Sequence, residues 1–155
     1  MRSVPSGEKG QRGASAVEFA LVLPLLVVLV FGIIEFGLLL YNQQVITNAS
    51  REGARAGIVQ DNPRVPFATV QGVVQTYTSN HLVTFTSGVV LPTVTVQNTT
   101  AGGGLDLCVS FSDNLTVTVT YQYTFLVFSN AIKLVAPSTL GPSLTLTAQT
   151  VMRCE

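Results

Sequence analysis

Two acidic residues and two cysteines are the side chains whose types and positions point to specific chemistry. Glu18 stands near the start of a long apolar run, and Glu35 stands within it. An ionised carboxylate is costly in hydrocarbon, so an acid at such a position needs a partner or a location at the membrane edge. Cys108 and Cys154 are the only cysteines of the chain, which limits them to one internal bridge.

The remaining reactive side chains do not favour catalysis. His81 is the sole histidine, and no cysteine or acidic residue stands at metal-ligand spacing from it. We interpret it as an exposed loop residue, and we interpret Asp106 and Asp113 as solvated acids on either side of a hairpin. No serine or cysteine has nucleophile-like surroundings, and no glycine loop precedes a helix in phosphate-binding form. The sequence therefore predicts no enzyme, no metal site and no cofactor.

A membrane helix is predicted near the N-terminus. The segment from Phe19 to Tyr41 contains one charged residue, Glu35. As a helix it would span about 34 Å, enough to cross the hydrocarbon core of a bilayer. Arg2, Lys9 and Arg12 precede the run, and basic flanks of this kind place that end in the cytoplasm. A secretory signal would have a shorter apolar region, and a buried core helix would not be apolar on all sides in so small a domain.

The same helix is expected to continue beyond the membrane, from about Ser15 to Gly57. Pro24 removes one backbone donor, a defect that membrane helices tolerate. Ala49, Gly53 and Gly57 stand four residues apart and form one stripe with almost no side chain. Such a stripe lets another surface approach the helix closely.

The residues after the helix predict a small α+β domain. Alternation of apolar and polar residues from Leu115 to Phe125 is typical of a half-buried antiparallel strand. The further expected elements are a helix over Pro66–Ser79, strands over Pro92–Asn98, Leu105–Phe111 and Ser143–Arg153, and a helical turn over Phe128–Val135. The predicted fold is a long N-terminal helix followed by an extracytoplasmic domain with an antiparallel sheet of about four strands and one or two helices.

A disulfide between Cys108 and Cys154 is the first expectation for the cysteines. The domain lies outside the cytoplasm by the topology above, where disulfides form, and its small core gains from a bridge worth about 4 kcal/mol. The alternation of apolar and polar residues argues against the bridge. By alternation Cys108 falls on the polar face of its predicted strand, whereas Cys154 shares parity with Leu144 and Leu146. Two free thiols remain the alternative.

Three motifs of the N-terminal part resemble a known family. RGASAVEFALVLPLL begins at Arg12, GIIEFG spans Gly32 to Gly37, and NASREGARAG ends at Gly57. In order and spacing they resemble the TadE-like family, pilin-like proteins of tight-adherence (Flp) secretion systems. The resemblance implies that Gly13 is the last residue of a leader cut by a prepilin peptidase, so that the mature chain begins at Ala14.

The resemblance makes Glu18 the fifth mature residue and Phe19 the sixth. Because cleavage creates an ammonium at Ala14 and an unpaired Glu18 is costly in lipid, we hypothesise that Glu18 pairs with the ammonium of a neighbouring subunit. A buried ion pair of this kind is best attested as a device that sets register. Glu35 has two interpretations: a carboxyl near the outer headgroups, or a polar contact with a partner helix in the assembly.

The resulting hypothesis is a minor pilin-like subunit, or pseudopilin, for the biogenesis of a tight-adherence pilus. Its parts are a leader (residues 1–13), an assembly helix (14–57) and an external domain (58–155). The implied partners are a prepilin peptidase, other pilin-like subunits and the inner-membrane assembly platform. The implied location is the bacterial inner membrane, with the N-terminus cytoplasmic and the C-terminal domain periplasmic, and then a surface pilus after assembly.

A second hypothesis is an unprocessed, single-pass accessory protein of the inner membrane whose external domain binds other secretion components. Nucleic acid is disfavoured as a partner under either hypothesis. The chain has eight basic and eight acidic residues, and nucleic-acid binding needs an excess of basic surface.

Overall fold

The computed structural model describes residues 8–60, 64–85, 90–98, 107–108, 110–111, 113–126 and 143–155, with side chains from residue 13 onward. The elements are helix α1 (Glu8–Ile58), helix α2 (Phe67–His81) and strands β1 (Thr93–Asn98), β2 (Asn114–Thr124) and β3 (Ser143–Arg153). A long apolar helix thus precedes a small domain of a three-stranded antiparallel sheet and one further helix. The predicted α+β class is confirmed.

Helix α1 is longer than the sequence predicts at its start. It begins at Glu8 rather than near Ser15 and ends at Ile58, one residue after the expected Gly57. Its 51 residues correspond to about 77 Å. Pro24 lies inside the helix and does not end it, as expected for one missing backbone donor in a long apolar segment.

The sheet has the order β1-β2-β3, with both pairs antiparallel. Its central strand β2 buries Leu115, Val117 and Val119, and then Tyr121 and Tyr123, on one face. This is the face that the alternating sequence predicted. Both helices pack on this side of the sheet, so the domain has two layers with the core between them.

Three strands lie in the described residues where about four were predicted. Leu107, Cys108, Ser110 and Phe111 are not in a strand, and the rest of the predicted Leu105–Phe111 strand lies outside the described residues, as does the predicted turn at Phe128–Val135. A tight turn replaces extended backbone here. The Asp113 N–H donates to the Ser110 carbonyl at 3.2 Å, and the Ser110 N–H donates to Asp113 Oδ2 at 2.9 Å.

Helix α2 returns along the second half of α1. It buries Val70, Val74 and Thr78. It begins within one residue of the predicted start and ends two residues later than predicted, at His81. Its sequence has no side-chain N-cap, and Pro66 precedes it in an extended conformation, which fits proline at a helix start.

The two ends of the domain are distinct. At the junction end, α1 enters the domain at Glu35, whose carboxylate accepts a hydrogen bond from the Leu126 N–H. At the distal end, α1 finishes at Ile58, whose carbonyl accepts from the Glu155 N–H at 3.4 Å. The domain therefore packs along the C-terminal half of α1 and leaves the N-terminal half bare.

Candidate functional site

The bare half of α1 is the first candidate site. Residues 13–34 are all exposed except Gly32, which is half-buried. This is the one helix of the described residues that is long and apolar enough to cross a membrane, and no residue of its most apolar stretch is buried in the chain. Length and composition fit a membrane anchor.

The predicted processing and assembly residues lie together at the N-terminal end of this bare segment. Gly13, Ala14, Glu18 and Phe19 are all exposed, and a Cβ atom built at Gly13 would have nothing within 4 Å. Ala14 and Glu18 are one helical turn apart and lie on the same side of α1. Gly13 is helical because α1 begins at Glu8, so a peptidase would have to unwind this turn to reach an extended backbone.

Glu35 is covered by the chain's own domain. It is 4 % exposed, and its carboxylate accepts a hydrogen bond from the Leu126 N–H of the chain's own domain. The Tyr123 hydroxyl donates to the Glu35 carbonyl at 3.5 Å. Neither sequence interpretation included this contact with the chain's own domain. A position near the outer headgroups and a role between subunits both stay predictions.

Aromatic residues complete this junction. The rings of Tyr123 and Phe125 meet edge to face, with centroids 5.5 Å apart. Burial, and then the charges of Glu35 and Tyr121, raise the pKa of the Tyr123 phenol. A phenol is protonated at neutral pH at its ordinary pKa already, so this hydroxyl is available as the donor to α1. A cavity of about 150 Å³ lies beside Glu35 and is lined by Gly32, Phe36, Leu39 and Phe125.

Asn42 forms a second polar contact between α1 and the domain, after that of Glu35, and the sequence did not predict it. We call these two contacts the Glu35 and Asn42 clamps. Its Nδ2 donates to the Val83 carbonyl at 2.8 Å, and its Oδ1 accepts from the Val83 N–H at 3.0 Å. The side chain is fully buried. One signal for this contact is present in the sequence, because Asn42 is an amide directly after an apolar run. An amide that is buried there requires hydrogen-bond partners.

The small-residue stripe is a close-packed surface within the chain. Ala49, Gly53 and Gly57 are all buried. A Cβ atom at Gly53 would lie 2.5 Å from Val74 Cγ2, and one at Gly57 would lie 2.5 Å from Leu115 Cδ2. The surface that approaches this stripe is thus the domain's own α2 and β2.

The two cysteines are joined in a disulfide at the distal end, with Cα atoms 5.7 Å apart. Cys108 and Cys154 are both buried. The parity objection does not apply, because Cys108 lies outside any strand. The Cys154 N–H also donates to the Asp113 carbonyl at 2.8 Å, so the bridge belongs to a network that fastens the C-terminus.

Asp113 is part of this network, and its interpretation as a solvated acid is wrong. It is 5 % exposed. Its Oδ2 accepts from Asn98 Nδ2 at 3.0 Å and from the Ser110 N–H. The carboxylate therefore organises the turn before β2. Asp106 lies outside the described residues.

His81 is exposed, as expected, but it ends α2 rather than lying in a loop. Its ring stacks on Tyr77 with centroids 4.5 Å apart, and its Nδ1 lies 2.8 Å from the Tyr77 carbonyl. Among the described residues no group of three or more histidine, cysteine, aspartate or glutamate side chains could hold a metal ion.

These features define a class: a small α+β domain carried on the second half of a helix whose first half can cross a membrane. Residues 13–55 match the model of the family described as TadE-like protein. The match begins at Gly13 and ends within the stripe, so this part of the chain is similar to the TadE-like family. It supports involvement in a tight-adherence (Flp) pilus system. No curated protein and no solved structure matches the sequence.

Proposed function

We propose that this protein is a minor pilin-like subunit, a pseudopilin, for the biogenesis of a tight-adherence pilus. It is made as an inner-membrane precursor with its domain outside, and a prepilin peptidase cuts it after Gly13. The mature chain then packs through α1 against other pilin-like subunits and the inner-membrane assembly platform. Its role is structural and not catalytic.

One observation carries this proposal: the TadE-like match coincides with a helix whose first half is exposed. The match starts at Gly13, and residues 13–34 are exposed apart from the half-buried Gly32. An apolar surface of this length has to be covered, first by lipid and then by other helices in an assembly. A helix already packed within its own domain would not be available to neighbours.

Glu18 supports the same proposal. It is an exposed acid among exposed apolar neighbours, where a membrane location costs a few kcal/mol. Cleavage after Gly13 would create an ammonium at Ala14 on the same side of the helix. Pairing with the ammonium of a neighbouring copy would neutralise both groups and set the axial register of packed helices.

The alternative is an unprocessed anchor protein whose domain binds other secretion components. The helical state of Gly13 favours it, because an intact helix resists proteolysis. The two hypotheses predict different mature sizes.

Substitution of Gly13 distinguishes them. Gly13→Ala and the larger Gly13→Leu are expected to block processing, so the membrane fraction would contain a chain longer by 13 residues and the cells would lack pili. Gly10→Ala, three residues earlier in the leader, is the matched control and should process normally. Unchanged size and unchanged piliation in both Gly13 variants would eliminate the pseudopilin proposal.

A further inference from the structure

Val59, Phe111 and Val151 are exposed towards the distal end of the domain, and five further exposed apolar side chains lie at its junction end. These five form what we call the junction rim: Phe85, Val90, Leu91, Leu126 and Leu144. Each is between 39 and 48 % exposed. Single exposed apolar residues need no explanation, but a group at one end of a domain marks a contact surface.

The strand ends of β2 and β3 place two rim residues beside the helix. The Leu126 N–H is bonded to the Glu35 carboxylate, so Leu126 lies where α1 leaves the domain. Leu144 pairs with Tyr123, whose hydroxyl reaches the Glu35 carbonyl. Both side chains are therefore at the level of Glu35.

The connection from α2 to β1 supplies the other three rim residues. Asn42 lies two helical turns after Glu35 on α1, and its side chain bonds to the backbone of Val83. Phe85 lies two residues after Val83. Val90 and Leu91 lead into β1, which begins opposite Thr120, near the junction end of β2. The rim thus comes from two parts of the domain that reach towards its junction end, the ends of β2 and β3 and the connection from α2 to β1.

The charged side chains, in contrast, lie away from the junction end. From residue 36 onward the charged side chains of the described part are Arg51, Glu52, Arg55, Arg64, Asp113, Arg153 and Glu155. The first of these lies about 24 Å along α1 from Glu35. Arg153 pairs with Asn114 at the distal end of the sheet. Apart from the covered Glu35, the described residues of the junction end are therefore uncharged.

The length of the bare helix fits this arrangement. From Ala14 to Ile34 it measures about 31 Å, which matches the hydrocarbon thickness of about 30 Å. A bilayer centred on this segment ends at Glu35, where the domain begins, rather than at Tyr41. The rim then coincides with the boundary between acyl chains and headgroups.

We infer that the junction rim lies in the outer interface of the bilayer that α1 spans and is a second membrane contact. The inference rests on membrane anchoring by α1 in the proposed function, and it adds that the domain is seated on the lipid surface. The described residues of the rim are uncharged and continuous with the apolar surface of α1, which the bilayer already covers, so the boundary between acyl chains and headgroups is the surface that they meet first. Together with the Glu35 and Asn42 clamps, this contact fixes the tilt of the domain relative to the membrane.

Tryptophan fluorescence tests this inference directly, because the chain contains no tryptophan. Leu91→Trp and Leu126→Trp each place a single fluorophore in the rim of the full chain, reconstituted in phosphatidylcholine–phosphatidylglycerol vesicles with brominated acyl chains. Phe31→Trp in the bare helix reports on the anchor. Phe111→Trp is the matched control, since Phe111 is 80 % exposed and lies beside the distal turn. Cooperative chemical unfolding in detergent, as for the wild type, confirms that each variant is folded.

Brominated lipid is expected to quench the Leu91→Trp and Leu126→Trp signals by roughly half, as for groups 5–10 Å into the interface, and to leave Phe111→Trp unchanged. Phe31→Trp, about 6 Å inside that boundary along α1, should be quenched at least as strongly. Rim tryptophans that behave like Phe111→Trp while Phe31→Trp is quenched would overturn the inference and leave the anchor intact. An unquenched Phe31→Trp would remove the anchor itself and the rim contact with it.

Discussion

At the scale of single residues, the absence of a side chain determines how the domain sits on α1. A Cβ atom added at Gly53 or Gly57 would lie 2.5 Å from a side-chain atom of the domain, which is too close for a real contact. The sequence predicted this stripe from spacing alone, because residues four apart align on a helix. It could not say which surface would approach, since both a partner helix and the chain's own domain fit the same pattern.

Gly53→Ala is expected to destabilise the domain by about 1–3 kcal/mol, because the new methyl group would overlap Val74 and force α2 away from α1. Gly72→Ala is the matched control. Nothing lies within 4 Å of a Cβ at Gly72 on α2, so the helix should gain about 0.5–1 kcal/mol. Chemical unfolding of the full chain in detergent measures both. Equal stabilities of the two variants would contradict the close packing.

Glu18 gives the residue-scale prediction for assembly. Glu18→Gln and Glu18→Val should be cleaved normally but should fail to assemble, because the Ala14 ammonium loses its counterion at a cost of about 3–5 kcal/mol. Glu52→Gln changes an exposed acid on the same helix and should assemble as the wild type does. Sheared pilus fractions and membrane fractions measure the two steps. Normal assembly of both Glu18 variants would refute the register role.

At the scale of elements, the hydrogen bonds of Glu35 and Asn42 determine where the domain begins to cover α1. Asn42 and Glu35 both lie in or directly after the apolar run and are both buried against the domain. Hydropathy could not predict this, because it describes the helix without the surface that covers it. The alternation of β2 and the bounds of α2 were predictable, since each element follows its own period. The turn at Ser110–Asp113 was not, because side-chain hydrogen bonds interrupt the alternation there.

Asn42→Ala is expected to cost about 2–3 kcal/mol of stability, because it leaves the Val83 N–H and carbonyl without their partners. Asn48→Ala is the control on the same helix, where the side chain is exposed, and its effect should stay within about 0.5 kcal/mol. Amide exchange at Val83 provides a local measure. Unchanged protection at this amide in Asn42→Ala would show that the clamp is not needed.

At the scale of the whole molecule, the chain joins two parts with different requirements. The bare half of α1 needs an apolar environment, and the domain needs a covered core closed at its distal end by the disulfide. The family motifs lie in the first part and its extension, and the match ends at residue 55. The elements α2 and β2 of the domain were predictable, but their placement was not, because it depends on long-range contacts with α1.

Loss of the disulfide should affect the distal end first. Cys108→Ser with Cys154→Ser is expected to lower the free energy of unfolding by about 4 kcal/mol, following the loop that the bridge closes. In the wild type both thiols should resist alkylation until a reductant is added. Ready labelling of both cysteines in the oxidised protein would exclude the bridge.

The N-terminus of the protein extracted from native membranes tests the central claim most directly. Processing after Gly13 predicts a mature chain that begins Ala14-Ser15-Ala16, read by N-terminal sequencing together with the intact mass. A chain that still begins at Met1, in cells that assemble pili normally, would contradict the account and leave a tethered envelope domain.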